Sequence, residues 1–120
     1  MLKPIPSKIL RSTAEVDACT AVDTYQNQTY THYTVCHVHV QPTNAVIKSV
    51  TNTDVQLHSV LFVDAKRSTP QLDWCSMFRS AQGIGGDVRV TIRGVTYTVA
   101  NVDELRDDTD QLHHWEVGLV

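Results

Sequence analysis

Apolar and polar residues alternate along most of this chain. In "DVRVTIRG" (Asp87 to Gly94), Val88, Val90 and Ile92 fall on one side and Arg89, Thr91 and Arg93 on the other. A period of two is the mark of a half-buried strand. Arg93-Gly94 reads as a tight turn, because glycine accepts the positive φ a short hairpin needs. "VTYTVANV" (Val95 to Val102) then returns as the partner strand. "TVCHVHV" (Thr34 to Val40) alternates too, predicting Cys36, Val38 and Val40 on one face and His37 and His39 on the other. "VQLHSVLFVD" (Val55 to Asp64) is longer and more apolar and reads as one strand. "ILRSTAEVDACTAV" (Ile9 to Val22) supplies the first. At the end, "LHHWEVGLV" places His113, Trp115, Val117 and Leu119 on one face. Trp115, Val117 and Leu119 form a core-facing set, which leaves His114 and Glu116 outward as a candidate subunit or partner interface.

Two stretches depart from this period. "QLDWCSMFRSA" (Gln71 to Ala81) follows Thr69-Pro70 and sets Trp74 and Phe78 at i and i+4, predicting a short helical turn. "VDELRDDTD" (Val102 to Asp110) reads as a single turn or a polar loop. The longest connection, "QPTNAVIKSVTNTD" (Gln41 to Asp54), has no stable period and an apolar middle. Loops of that length inside a small domain are often functional. The expected fold is all-β: residues 1–120 as a single-domain barrel of about six strands, by the spacing rule for such domains, with one long inter-strand loop.

Composition narrows the function. The formal net charge of -3 gives no basic stripe of the kind that marks nucleic-acid binding. Five acids and one arginine crowd Asp103 to Asp110, which leaves the remainder slightly basic. Tyr25, Tyr30 and Tyr33 lie in a segment without a basic residue, and no aromatic separates Arg89 from Arg93. A strand-surface binder of single strands would interleave the two types. Cys19, Cys36 and Cys75 are three and widely spaced, so neither a disulfide framework nor a zinc knuckle is predicted, and reduced thiols in a cytosolic setting are expected. No apolar run is long enough for a signal core or a membrane span.

Candidate chemistry is sparse. His37 and His39 share the i, i+2 spacing that can aim two imidazoles at one ion, with His58, His113 and His114 elsewhere. No carboxylate or thiolate stands at ligand spacing beside them, so no metal is expected. Ser59, Cys36 and Cys75 lack a nucleophile elbow or a protease-type cysteine signature. "GIGGD" (Gly83 to Asp87) lacks the Lys-Ser/Thr of a phosphate loop and reads as a turn. Neither catalysis nor a cofactor is predicted.

Three segments in order, "DVQLHSVLFVDA" (Asp54 to Ala65), "GDVRVTIRGVTYTVANVDEL" (Gly86 to Leu105) and "DQLHHWEVGLV" (Asp110 to Val120), resemble the minor capsid, or head-closure, proteins of long-tailed phages and prophages of Gram-positive bacteria. The opening "LKPIPSKIL" is similar to that family's proline-containing start. The resemblance spans nearly the whole chain. It implies a stopper-like head-completion protein: a small barrel with a long loop, forming a homo-oligomeric ring of about twelve copies whose contacts close by rotation. Such a ring lies in the virion neck, beneath the portal and adaptor, and is assembled in the host bacterial cytoplasm. It retains packaged DNA without sequence specificity and docks the tail terminator or tail tube. By position, the candidate channel loop is Thr43, Asn44, Ala45, Val46, Ile47, Lys48, Ser49, Val50, Thr51, Asn52 and Thr53. The alternatives are a tail terminator or other neck ring, expected to be mixed α/β, and a small nucleic-acid-binding barrel. An adaptor would be helical.

Overall fold

The computed structural model describes residues 11–48 and 53–120. The elements run β1 (Ser12–Val22), β2 (Gln28–Pro42), β3 (Val46–Lys48), β4 (Asp54–Gln56), β5 (Ser59–Asp64), α1 (Trp74–Gly83), β6 (Val88–Ile92), β7 (Val95–Arg106) and β8 (Leu112–Leu119). Six strands close on themselves in the order β1-β2-β5-β8-β7-β6. Every neighbouring pair is antiparallel. Closure leaves no open edge, which is how a small all-β domain satisfies its ladders. The remaining two strands, β3 and β4, pair only with each other.

The interior is filled by the alternating apolar set. Val16, Val35, Val38, Leu61, Val90, Val117 and Leu119 have no exposed surface. Trp115 is buried in the same cluster, as the parity of β8 predicts. The Arg93-Gly94 turn has the two positive φ values, 52 and 80, that a two-residue hairpin of this hand requires.

Three sequence expectations are corrected. The alternation of Cys36, Val38 and Val40 does not run through β2. His37 takes a positive φ of 62, and the register shifts between Ser12↔Val38 and Ala14↔Val35. An extra residue in the strand is a β-bulge. It turns Val35 and Val38, three apart, onto the same inner face and leaves Cys36 half-buried. The apolar run from Val55 to Asp64 is two strands, broken at Leu57-His58. The acidic stretch is no loop up to Arg106. β7 carries it to that residue, and only Asp107 to Gln111 forms the turn into β8. The short helical element expected around Trp74 and Phe78 is present as α1, a helix of 10 residues with Phe78 half-buried on it.

Helix α1 starts where the Asp73 carboxylate accepts the Ser76 N–H at 3.1 Å, satisfying one of the free donors of the first turn. It ends in the glycines: Gly85 sits at φ 78, and the Gly86 N–H reaches back to the Ala81 carbonyl at 2.8 Å. "GIGGD" is therefore a helix stop that leads into β6. The helix packs on β1, β6 and β7 and adds Trp74 and Ala81 to the barrel core. Gly86 lies so close to β1 that a Cβ there would stand 2.3 Å from the Cys19 sulfur.

Candidate functional site

The segment expected to be a long loop is a β-ribbon in its described part. Val46, Ile47 and Lys48 pair with Gln56, Val55 and Asp54. At its base the Thr43 N–H donates to the His58 carbonyl at 3.0 Å, and the Leu57 N–H donates to the Ala45 carbonyl at 2.9 Å. These bonds carry the β2–β5 ladder, which ends at Pro42↔Ser59, directly into β3–β4. The ribbon is the continuation of two barrel strands beyond the barrel wall. The Thr43 hydroxyl also accepts the Ala45 N–H at 3.2 Å. Of the candidate channel loop, Ser49, Val50, Thr51 and Asn52 lie outside the described residues.

Two properties of the ribbon bear on function. It is apolar yet uncovered: Val46 is 62% exposed, while Ile47 is half-buried opposite Val55. It is also locally neutral, because the Lys48 ammonium lies 2.6 Å from the Asp54 carboxylate. Both partners are largely exposed, so the pair adds little stability. It does occupy the one cation that the sequence offered for steering DNA phosphates.

The ribbon is tied to the barrel from outside. Leu57, at the break between β4 and β5, is 5% exposed although it belongs to no barrel strand. It covers β8 at Gly118, where a Cβ would meet both Leu57 methyls at 3.0 Å and the Asn101 Oδ1 at 2.0 Å. His58 stacks at 5.2 Å on Tyr97 of β7, and its Nδ1 lies 2.8 Å from the Ser59 hydroxyl. The sequence reading missed this anchor. Its signal was Gly118 itself, a glycine inside an apolar strand, which often marks a close approach.

The outer side of β8 is where His114 and Glu116 stand. The His114 Nε2 is 3.2 Å from a Glu116 carboxylate oxygen, and its Nδ1 is 2.7 Å from the His113 Nδ1. Phe62 of β5 lies between His114, at 6.1 Å, and His39 of β2, at 5.8 Å. The strip is outward-facing but partly covered: the His114 side chain is 16% exposed.

The remaining sequence candidates are scattered. The bulge separates His37 from His39, and no group of three or more His, Cys, Asp or Glu among the described residues is arranged to hold a metal ion. All three cysteines are free, with Cys19 buried, and burial pushes the Cys75 thiol pKa up. The fold brings Arg89 over the Tyr30 ring at 5.2 Å, an aromatic–basic contact invisible in the linear sequence. The Tyr30 hydroxyl is taken by Gln28 and Asp87, and Asp87 also takes the Arg89 Nε at 3.4 Å. This contact is spent within the protein. No helix among the described residues is long and apolar enough to cross a membrane.

No curated protein and no solved structure matches the chain significantly. A family model described as "Minor capsid protein" matches residues 6–119, almost the whole length. That places the protein among virion structural components, which work by contact with other virion proteins. A closed barrel with a protruding ribbon is compatible with such work, and the chain belongs to the minor capsid protein family.

Proposed function

We propose that this protein is the head-closure, stopper-like ring of the head–tail connector. In this reading it binds below the portal and adaptor, retains packaged DNA and offers the tail its docking surface. The observation that carries the reading is the ribbon: β2 and β5 continue out of the barrel as β3 and β4 with Val46 exposed. A single exposed apolar residue is ordinary on a protein surface; Val46 differs in standing on a ribbon that leaves the barrel, where a neighbouring copy can cover it. In a ring, the ribbons of neighbouring copies cover one another and narrow the central channel. Lys48 is balanced by Asp54, so the ribbon carries no net charge from this pair and closure in this reading is steric. The all-β barrel supports a stopper over a helical adaptor or a mixed α/β terminator.

A variant with residues 45–50 replaced by a short Gly-Ser linker tests this. None of the described residues of this span, 45–48, belongs to the barrel core, so the variant should fold and enter particles. Heads that carry the variant and lose DNA support closure by the ribbon. Heads that carry it and keep their DNA overturn that role.

A further inference from the structure

Two of the barrel's turns are built alike. Asp23 to Asn27 joins β1 to β2, and Asp107 to Gln111 joins β7 to β8. In each, the first-residue N–H donates to the fifth-residue carbonyl, at 3.0 and 2.8 Å, and the fourth-residue N–H returns to the aspartate carbonyl, at 3.1 Å in both. In each, the fourth residue has a positive φ: 67 at Gln26 and 61 at Asp110. One carboxylate oxygen of Asp23 accepts the N–H groups of Tyr25 and Asn27 at 2.8 and 2.9 Å. One oxygen of Asp107 does the same for Thr109 and Gln111 at 2.9 and 3.1 Å.

The third position is where they differ. Thr109 turns its hydroxyl back to the Asp107 carboxylate at 2.7 Å. Tyr25 is 85% exposed, the most exposed large apolar side chain among the described residues. The second turn closes around a threonine, so the turn chemistry does not call for an aromatic ring. Nor does the fold use it, because Tyr25 is outside the core and its packed periphery.

We propose that Tyr25 is a preformed anchor that inserts into an apolar-floored, polar-rimmed pocket on another virion protein. Tyrosine is enriched among the residues that dominate interfaces, and it orders few rotatable bonds when it binds. The Asp23 carboxylate already holds the turn, so the ordering cost at binding is small. The partner is a protein rather than nucleic acid, since the tip carries Asp23 and no base. The contact lies far from the ribbon. β2 runs 15 residues from this turn to Pro42, where the ribbon begins, so a span of roughly 45 Å by strand rise separates the two. The anchor rests on membership of the virion, not on the stopper reading.

The test compares full-length Tyr25→Thr, Tyr25→Phe and Asp23→Ala with the unmodified protein in particles that lack the natural copy. Tyr25→Thr reproduces the Thr109 turn and should leave Tm and sedimentation of the isolated protein unchanged. Its copies per particle, measured by quantitative mass spectrometry, should fall by about tenfold or more, as for a dominant interface residue. Tyr25→Phe should be incorporated nearly normally, and Asp23→Ala should fall between the two. Normal incorporation of Tyr25→Thr would overturn the proposal. So would a change in the isolated protein's sedimentation, which would assign the ring to a contact between copies. The ribbon variant is read by DNA retention and the Tyr25 variants by incorporation, so failure of the stopper reading is seen separately.

Discussion

Leu57 lies across Gly118, with both methyls 3.0 Å from where a Cβ on that glycine would stand. The contact joins the break between β4 and β5, at the base of the ribbon, to the outer side of β8. Gly118→Ala should destabilise the protein by about 1–3 kcal/mol through overpacking. Leu57→Ala should cost about 2–4 kcal/mol through lost burial. Hydrogen exchange distinguishes this from a general weakening: Leu57→Ala should speed exchange at Ile47 and Val55 more than at Val90. Equal acceleration everywhere would mean the contact does not hold the ribbon.

Trp115 and Glu116 are neighbours with opposite parity. Trp115→Ala should lower stability by about 3–5 kcal/mol, as for a buried aromatic. Glu116→Ala removes only the outward contact with His114 at 3.2 Å and should stay within about 1 kcal/mol. Denaturant melts of both variants check the pair. Similar losses would refute the assignment of faces.

Two turns should respond to acid. The Asp23 carboxyl is held below the usual range, chiefly by the Asn27 N–H, and Asp107 is lowered chiefly by the Thr109 hydroxyl. A depressed folded pKa gives stability that is present above the ordinary aspartate value of about 3.9 and is lost as pH falls through the folded pKa. NMR at falling pH should show amide shifts at Tyr25, Asn27, Thr109 and Gln111 with midpoints below that value. Asp107→Asn keeps an acceptor oxygen, so it should preserve the turn while abolishing the titration at Thr109.

The His32–Asp17 contact should have the opposite sign. Its 2.7 Å hydrogen bond is the main reason the His32 pKa is raised. A raised folded pKa contributes fully below the ordinary histidine value of about 6.5 and is lost as pH rises through the folded one. The imidazole resonances of His32 should titrate above the ordinary range in the wild type, and Asp17→Asn should bring the midpoint down.

How far these features were legible depends on what each residue had to reveal. The faces of β6 and β8 were readable because valine, leucine and tryptophan alternate there without interruption. The bulge was not, because His37 occupies a conformation that glycine or asparagine usually advertises. The Leu57 break was hidden for a related reason. A residue that leaves the strand but stays buried keeps the apolar run intact. Charge concealed the end of β7: Glu104 and Arg106 lie past the core, where a strand carries the composition of a loop. The two aspartate turns were masked by Gln26 and Asp110, which stand where glycine would have announced a hairpin. For the candidate loop, length and apolar content located the segment, whereas its pairing depended on partners across the chain.

The continuity of β2 and β5 into the ribbon has a mechanical consequence. Each of these strands is flanked on its other side, β2 by β1 and β5 by β8. A push along the ribbon's axis is therefore shared by ladders on both sides at once. Hydrogen bonds loaded together in shear resist far better than bonds opened one after another at a peeling end. A sideways push meets only the two-stranded ribbon, which has no third strand to stiffen it. The barrel thus acts as the fixed end of a strut that is stiff along its length and compliant across it, and its easy bending direction is the one normal to the plane of β3 and β4.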